Sequence, residues 1–296
     1  MPDWLKIEHK ITASTGNLFN LKKHIEIGGG DTNKAFRIEG VIEDKEVSFF
    51  IKVNQKGRSD MFTAEAAGLQ EIESASAIRV PQVICCGVDS SQSYLVLEDL
   101  SLSFNRGNSA EQLGHDLAAL HKHTSQKFGW SRDNTIGSTE QINTTTDSWI
   151  TFWQEQRLGF QLNLAKSNGA SHSLSMKGEN LLNSLDKLFI GYEPKASLLH
   201  GDLWSGNYGC LESGEPVIFD PAVYYGDREA DLAMTELFGG FPAEFYNAYN
   251  AAWPLDAGYK QRKTLYNLYH ILNHYNLFGG GYAMQAENMI DQLLSS

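Results

Sequence analysis

A chain of 296 residues, 42% hydrophobic and 20% charged, is long and apolar enough to bury a core in one large domain or two lobes. Its formal net charge of −12 argues against a nucleic-acid backbone or an anionic membrane as the main partner, since both require clustered Lys and Arg, while leaving room for a local cationic pocket for phosphate. The opening MPDWLKIEHK has no apolar signal core and no later run approaches the roughly 18–20 apolar residues that span a bilayer, which points to the cytosol; Cys85, Cys86 and Cys210 give neither a disulfide framework nor a paired metal motif and read as buried thiols.

In chain order, the first third is strand-rich. HIEI (24–27), KAFRIEG (34–40) and VSFFIKV (47–53) carry the β-branched, aromatic and alternating residues of strands, with GGGDTN between the first two. DMFTAEAAGLQEIESA (60–75) then sets Phe62, Ala66, Leu69 and Ile72 at helical spacing, and VICCGV (83–88) and SYLVLEDL (93–100) add two strands. The expectation is a five-stranded antiparallel sheet with one helix inserted after the third strand. Beyond Asp99 the pattern turns helical, with apolar stripes over residues 110–124, 148–165, 178–189, 264–278 and the terminal AMQAENMIDQLL. SLLH, YGCL and VIFD are the only strand-like pieces there. The chain therefore reads as α+β and bilobal: residues 1–99 form a small sheet lobe, and residues 100–296 a larger, mainly helical lobe. Such plans usually hold a ligand in the cleft between lobes.

The richest stretch is HGDLWSGN (200–207), followed by PVIFDPA. Phosphoryl transfer from ATP to a hydroxyl needs a carboxylate near the attacking oxygen, magnesium ligands, a cation on the phosphates and a loop covering them. The kinase loop H-x-D-x4-N supplies the base and one metal ligand, and His200, Asp202 and Asn207 have that spacing. A second metal-binding Asp is expected at the end of a nearby strand, where VIFD places Asp220. FFIKV supplies Lys52 at the third strand, and Glu65 is the acid in the middle of the following helix. GGGDTN, with Gly28, Gly29, Gly30 and Asn33, stands where the phosphate-covering loop belongs, although it lacks the third glycine of G-x-G-x-x-G. Each piece alone has a plainer explanation: HGD a capped turn, Lys52 a solvated edge charge, GGG a hairpin turn, Glu65 a solvent-facing helix residue. Their joint occurrence in the required order points to a kinase-type site. His200 is expected to scaffold the loop without exchanging protons, His121 and His123 point to different helix faces and receive no site, and Asp231 in DREADLAM is expected to be structural. Trp204, two residues past Asp202, falls in the acceptor pocket, where an indole face suits a sugar's C–H face or a cationic amine; its plainer alternative is a core anchor beneath the loop.

The strings LLHGDLWSGN, IFDPAVYYGDREADLAM and LFGGFP closely resemble the fructosamine (ketosamine) 3-kinases, relatives of the aminoglycoside and choline phosphotransferases with a protein-kinase-like fold. FGWSRDNTIGSTEQIN (128–143) and SWITFWQEQRLGFQLNLA (148–165) extend the resemblance, so that it covers nearly the whole chain. It implies transfer of the ATP γ-phosphoryl to the sugar 3-hydroxyl of a ketosamine, free or borne on a glycated lysine, as a deglycation repair step, because the product breaks down to free the amine. By position it makes Asp202 the base, Asn207 and Asp220 the Mg2+ ligands, Lys52 with Glu65 the phosphate-ordering pair, and Glu98, Asp99 and Leu100 the hinge whose backbone meets adenine. Two departures stand out: Asp31 replaces a glycine-loop Cys that several members carry, and Trp130 replaces the commoner Phe, a packing change. A phosphotransferase of the same fold acting on another hydroxylated amine, as the aminoglycoside and choline enzymes do, and a non-catalytic nucleotide-binding regulator remain alternatives.

Overall fold

The computed structural model describes residues 1–28, 32–103 and 109–295. The chain divides into two compact units, Met1–Arg106 with Gly209–Phe219, and Gly107–Tyr208 with Asp220–Ser296. Residues 209–219, counted above with the helical half, thus group with the first unit.

In the first unit, helix α1 (Trp4–Thr15) is capped by Asp3, whose side chain accepts from the Lys6 amide, and stops at Gly16 in the left-handed region. The sequence pattern, which predicts a single helix among the first 99 residues, does not reveal it. Only Ile7 and Ile11 of its 12 residues are buried, too sparse an apolar stripe to register as periodic. Strands β1 (Phe19–Ile27), β2 (Lys34–Ile42) and β3 (Lys45–Gln55) lead into helix α2 (Ser59–Ser74), then β4 (Val83–Val88) and β5 (Gln92–Glu98). They pair antiparallel throughout in the order β1-β2-β3-β5-β4. The β2–β3 hairpin turns through Glu43 and Asp44, both at positive φ, as a tight turn matched to strand twist requires. Ile51 and Val53 point into a core shared with Ile7, Ile11, Phe19, Ile38 and Val96. Strand alternation therefore turns Lys52 to the other face, where α2 lies.

The second unit begins with α3 (Ser109–His121), the short hairpin β6 (Asn134–Ile136) and β7 (Thr139–Gln141), and α4 (Trp149–Phe152). The chain continues through a π-helical segment, Trp153–Leu158, into α5 (Gly159–Ser167), then α6 (His172–Leu182) and β8 (Ser197–Leu199). Next come the two-stranded sheet of β9 (Tyr208–Cys210) and β10 (Pro216–Ile218), then β11 (Tyr224–Gly226) and helices α7 (Glu229–Leu237), α8 (Ala243–Ala252), α9 (Tyr259–Phe278) and α10 (Tyr282–Leu294). Ser103 and Cys210 exchange backbone hydrogen bonds of 2.8 and 3.1 Å, and the Ile218 amide donates to the Arg79 carbonyl, which draws the β9–β10 segment into the first unit. Helix α7 escapes the sequence pattern because residues 229–235 are buried on every side, leaving no polar face for a period to show. Helix α8 escapes it too, as do β6, β7 and β11, the strands being three residues each, too short for alternation. Cys85 and Cys210 are buried and Cys86 is half-buried, all as free thiols; burial pushes the Cys85 thiol up to about 11. Among the described residues no helix is long and apolar enough to cross a membrane.

Candidate active site

Strand pairing brings the two sequence-predicted acids together. β8 runs into His200–Asn207, β11 is entered from Asp220–Val223, and the two strands pair antiparallel with Leu199 opposite Tyr224. Asp202 and Asp220 thus emerge at the same end of one ladder. The Ala222 amide donates to the His200 carbonyl at 2.8 Å, continuing the pairing one step past the strands. Gly201 makes this approach possible: its φ is +82°, and a Cβ there would lie 2.1 Å from the Ala222 carbonyl oxygen. Asp220 adopts a left-handed φ of 59°, uncommon for a residue with a side chain.

The half-buried Asp202 faces Asn207, whose Nδ2 donates to the Asp202 carbonyl at 2.9 Å and to its Oδ2 at 3.2 Å. Burial and, behind it, the charge of Asp220 push the Asp202 carboxyl well above the usual carboxylate range, against the pull of the Asn207 bond. The loop is anchored from below. Asp231 on α7 accepts from the His200 amide at 2.7 Å and the Gly201 amide at 2.8 Å. Burial works against this carboxylate, yet the hydrogen bond and charge of His121 and the backbone bonds hold it below its ordinary value. His200 is fully buried and its Nδ1 accepts from the Asp202 amide at 3.2 Å, a scaffolding geometry.

Sequence reasoning gives His121 no site, yet it supports this anchor. Its Nε2 lies 3.1 Å from Asp231 and its Nδ1 2.8 Å from the Tyr249 hydroxyl, which accepts from Arg228 at 3.1 Å. Because the Asp231 carboxylate can only accept, Nε2 carries the proton that it shares with Asp231. Spacing from His123 could not reveal a partner 110 residues away.

Trp204 is 38% exposed, which does not fit a core anchor. Its indole lies across Gly206, where a Cβ would meet the ring at 2.2 Å, and its edge faces Phe238 at 6.5 Å. Trp130, 6% exposed, packs inside.

In the first unit, Lys52 donates to Glu65 Oε1 at 2.6 Å, with side chains 8% and 10% exposed. Asn54, two residues on, donates through Nδ2 to the Thr32 carbonyl and to Asn33 Oδ1, tying the end of the glycine loop to β3. Gly28 is exposed, with open space where a Cβ would project; Gly29, Gly30 and Asp31 lie outside the described residues. Glu98 pairs with Arg79 at 2.5 Å and Asp99 with Arg37 at 2.8 Å, so both carboxylates are engaged. The Leu100 carbonyl accepts from the Leu102 amide at 2.8 Å.

A five-stranded antiparallel sheet carrying a Lys–Glu pair, with an HGD…N loop and a following Asp in a mainly helical unit, is the architecture of kinase-like phosphotransferases. A choline kinase from Streptococcus pneumoniae shares the fold at a TM-score of 0.59 and 13% identity, over 99% of this chain and 98% of that one. The model of the fructosamine kinase family matches residues 3–296, and the chain belongs to that family. A Synechocystis protein assigned as a ketoamine kinase is 48% identical over 98% of this chain and 97% of its own. A chloroplastic protein-ribulosamine 3-kinase of Arabidopsis thaliana is 43% identical over 99% and 86%. The crystal structure of a Haemophilus somnus protein assigned to the fructosamine-3-kinases superposes with a TM-score of 0.89 at 31% identity, over 98% of this chain and 97% of that one.

Proposed function

We propose that this chain is an ATP-dependent ketosamine 3-kinase, transferring the γ-phosphoryl group to the sugar 3-hydroxyl of a fructosamine- or ribulosamine-type substrate. The observation that carries the reading is the β8–β11 ladder, which delivers Asp202 and Asp220 side by side in a chain of the fructosamine kinase family. Asp202 orients the hydroxyl and accepts its proton, and the Asn207 bond aims its carboxylate. Burial and, behind it, the charge of Asp220 raise its carboxyl, and a cation held nearby would favour the ionised form that a base needs.

The donor set suits magnesium. Asn207 and Asp220 offer hard oxygens, and the remaining positions around the ion would fall to substrate phosphates and water. Bound there, magnesium would supply charge neutralisation at the phosphates. Lys52, aligned by Glu65, meets the phosphates, and Gly28 and Asn33 contribute to covering them. The backbone of Glu98, Asp99 and Leu100 receives adenine, their acidic side chains being turned to arginines. Trp204 presents its exposed ring to the acceptor.

Phosphorus NMR with ATP, magnesium and a synthetic ribulosamine tests the reading. Wild type is expected to form a sugar 3-phosphate, and Asp202→Asn to do so at least about a hundredfold more slowly. Full activity in the variant removes Asp202 as base; turnover of choline or an aminoglycoside but of no ketosamine removes the substrate class.

A further inference from the structure

Two stretches singled out in the sequence, residues 128–143 and 148–165, take no part in the chemistry above, and they meet in one buried polar network. Asn134 Nδ2 donates to the Val223 carbonyl at 2.8 Å. Gln141 Nε2 donates to the Ala222 carbonyl at 3.1 Å and to Asn134 Oδ1 at 2.8 Å, while its own oxygen accepts from the Tyr269 hydroxyl. Asn143 Nδ2 also donates to Asn134 Oδ1, at 2.9 Å. Behind them Arg157 donates to Asn143 Oδ1 and to the Ile142 carbonyl, both at 2.6 Å, with its guanidinium 4.1 Å from the centre of the Tyr224 ring. Asn134, Gln141, Asn143 and Arg157 are 8%, 1%, 1% and 0% exposed. A buried cation whose hydrogen bonds run to carbonyl and amide oxygens and whose faces lie on aromatic rings fixes the hairpin without neutralising any acid of the site.

The network ends on the two carbonyls that follow Asp220-Pro221. Asp220 sits at positive φ immediately before a proline, a place where backbone sterics favour extended conformations instead. Such a conformation persists only where the surroundings over-determine it. Ala222 is held at both ends, its amide by His200 and its carbonyl by Gln141. We infer that Asn134 and Gln141 are positioning residues for phosphoryl transfer: by holding the Ala222 and Val223 carbonyls they fix Asp220 in its left-handed conformation and lock it in register with the Asp202 loop. The inference rests on the reading of Asp220 as a magnesium ligand.

Gln141→Met keeps length and most of the volume while removing both donors. It is expected to lower kcat about tenfold and to raise the magnesium concentration for half-maximal rate by a similar factor, with KM for the ketosamine little changed. Calorimetric titration with ATP, with and without magnesium, is expected to show that the metal strengthens nucleotide binding less than in wild type. A lower melting temperature with kcat, magnesium requirement and calorimetry unmoved makes the network ordinary core and overturns the inference. Should Gln141→Met not fold, Tyr269→Phe, which removes only the hydroxyl that steadies the Gln141 oxygen, is expected to shift the magnesium requirement in the same direction by less, and an unchanged requirement there overturns it equally. Asp220→Asn separates the two levels. If it leaves the magnesium effect on ATP binding intact, the metal role of Asp220 falls; if it abolishes that effect while Gln141→Met and Tyr269→Phe move nothing, only the positioning role falls.

Discussion

Glu65→Ala puts the Lys52–Glu65 pair to a quantitative test. At 2.6 Å, and with the effective dielectric constant of about 20 that suits such sites, the two charges attract by roughly 6 kcal/mol. Desolvation offsets much of this, because both side chains are nine-tenths removed from water. The intact pair therefore adds little net stability, whereas removing one member of a buried pair costs about 3–5 kcal/mol. Urea denaturation of Glu65→Ala is expected to show a loss of that order. The double variant Lys52→Met/Glu65→Leu removes both charges and is expected to recover most of it. Nucleotide binding separates stability from function: by calorimetry the recovered double variant is expected to bind ATP at least about tenfold more weakly than wild type, since no cation meets the phosphates. Wild-type ATP affinity in a stable double variant would refute the phosphate role, and a stability loss below about 1 kcal/mol in Glu65→Ala would refute the buried-pair reasoning.

Three further expectations follow from the site. Because the folded pKa of Asp202 lies above its unfolded value, the ionised group costs stability above the ordinary carboxylate pKa of about 4, and the cost grows as pH rises toward the folded value; Asp202→Asn is therefore expected to melt higher than wild type at pH 7.5 by an amount that shrinks toward pH 4, and a lower melting point at pH 7.5 contradicts the assignment. Trp204→Ala is expected to raise KM for the ketosamine about tenfold, leave KM for ATP alone and scarcely move the melting temperature, since the ring is 38% exposed; equal damage to both constants with a falling melting temperature returns Trp204 to packing. Gly201→Ala forces a Cβ to 2.1 Å from the Ala222 oxygen at a φ of +82°, so a stability loss of about 2 kcal/mol or more and a steep fall in kcat are expected, and a neutral outcome in denaturation and turnover contradicts the interlock.

What the sequence disclosed depended on whether the signal was local. Asp202 and Asn207 share one loop whose spacing is itself the motif, and Lys52 sits in a strand long enough for alternation to show. Glu65 lies mid-helix, where it could be paired with Lys52 by the chemistry required. The five strands of the first unit were legible for the same reason. Helix α1 was not, because two isoleucines on a polar helix give little period, and α7 was not, because a helix buried all round gives none. His121 has no assignable site in the sequence, and only α7 and α8 bring Asp231 and Tyr249 to its two nitrogens. The amides of Asn134 and Gln141 were visible only as letters of a resemblance, since their partners are backbone carbonyls more than 80 residues away, and carbonyls have no sequence identity.

The backbone changes unit at three places, near residues 106, 208 and 219, and the last two flank a short excursion between the proposed metal ligands Asn207 and Asp220. No single cut therefore yields two self-sufficient fragments. A piece ending at residue 106 lacks the strand that exchanges hydrogen bonds with Ser103 and the amide that binds the Arg79 carbonyl. During synthesis, the first unit cannot complete its backbone pairing until nearly three quarters of the chain has been made. The ordering of the first unit is thereby coupled to the arrival of the Asp202 loop, which is threaded immediately before the returning hairpin.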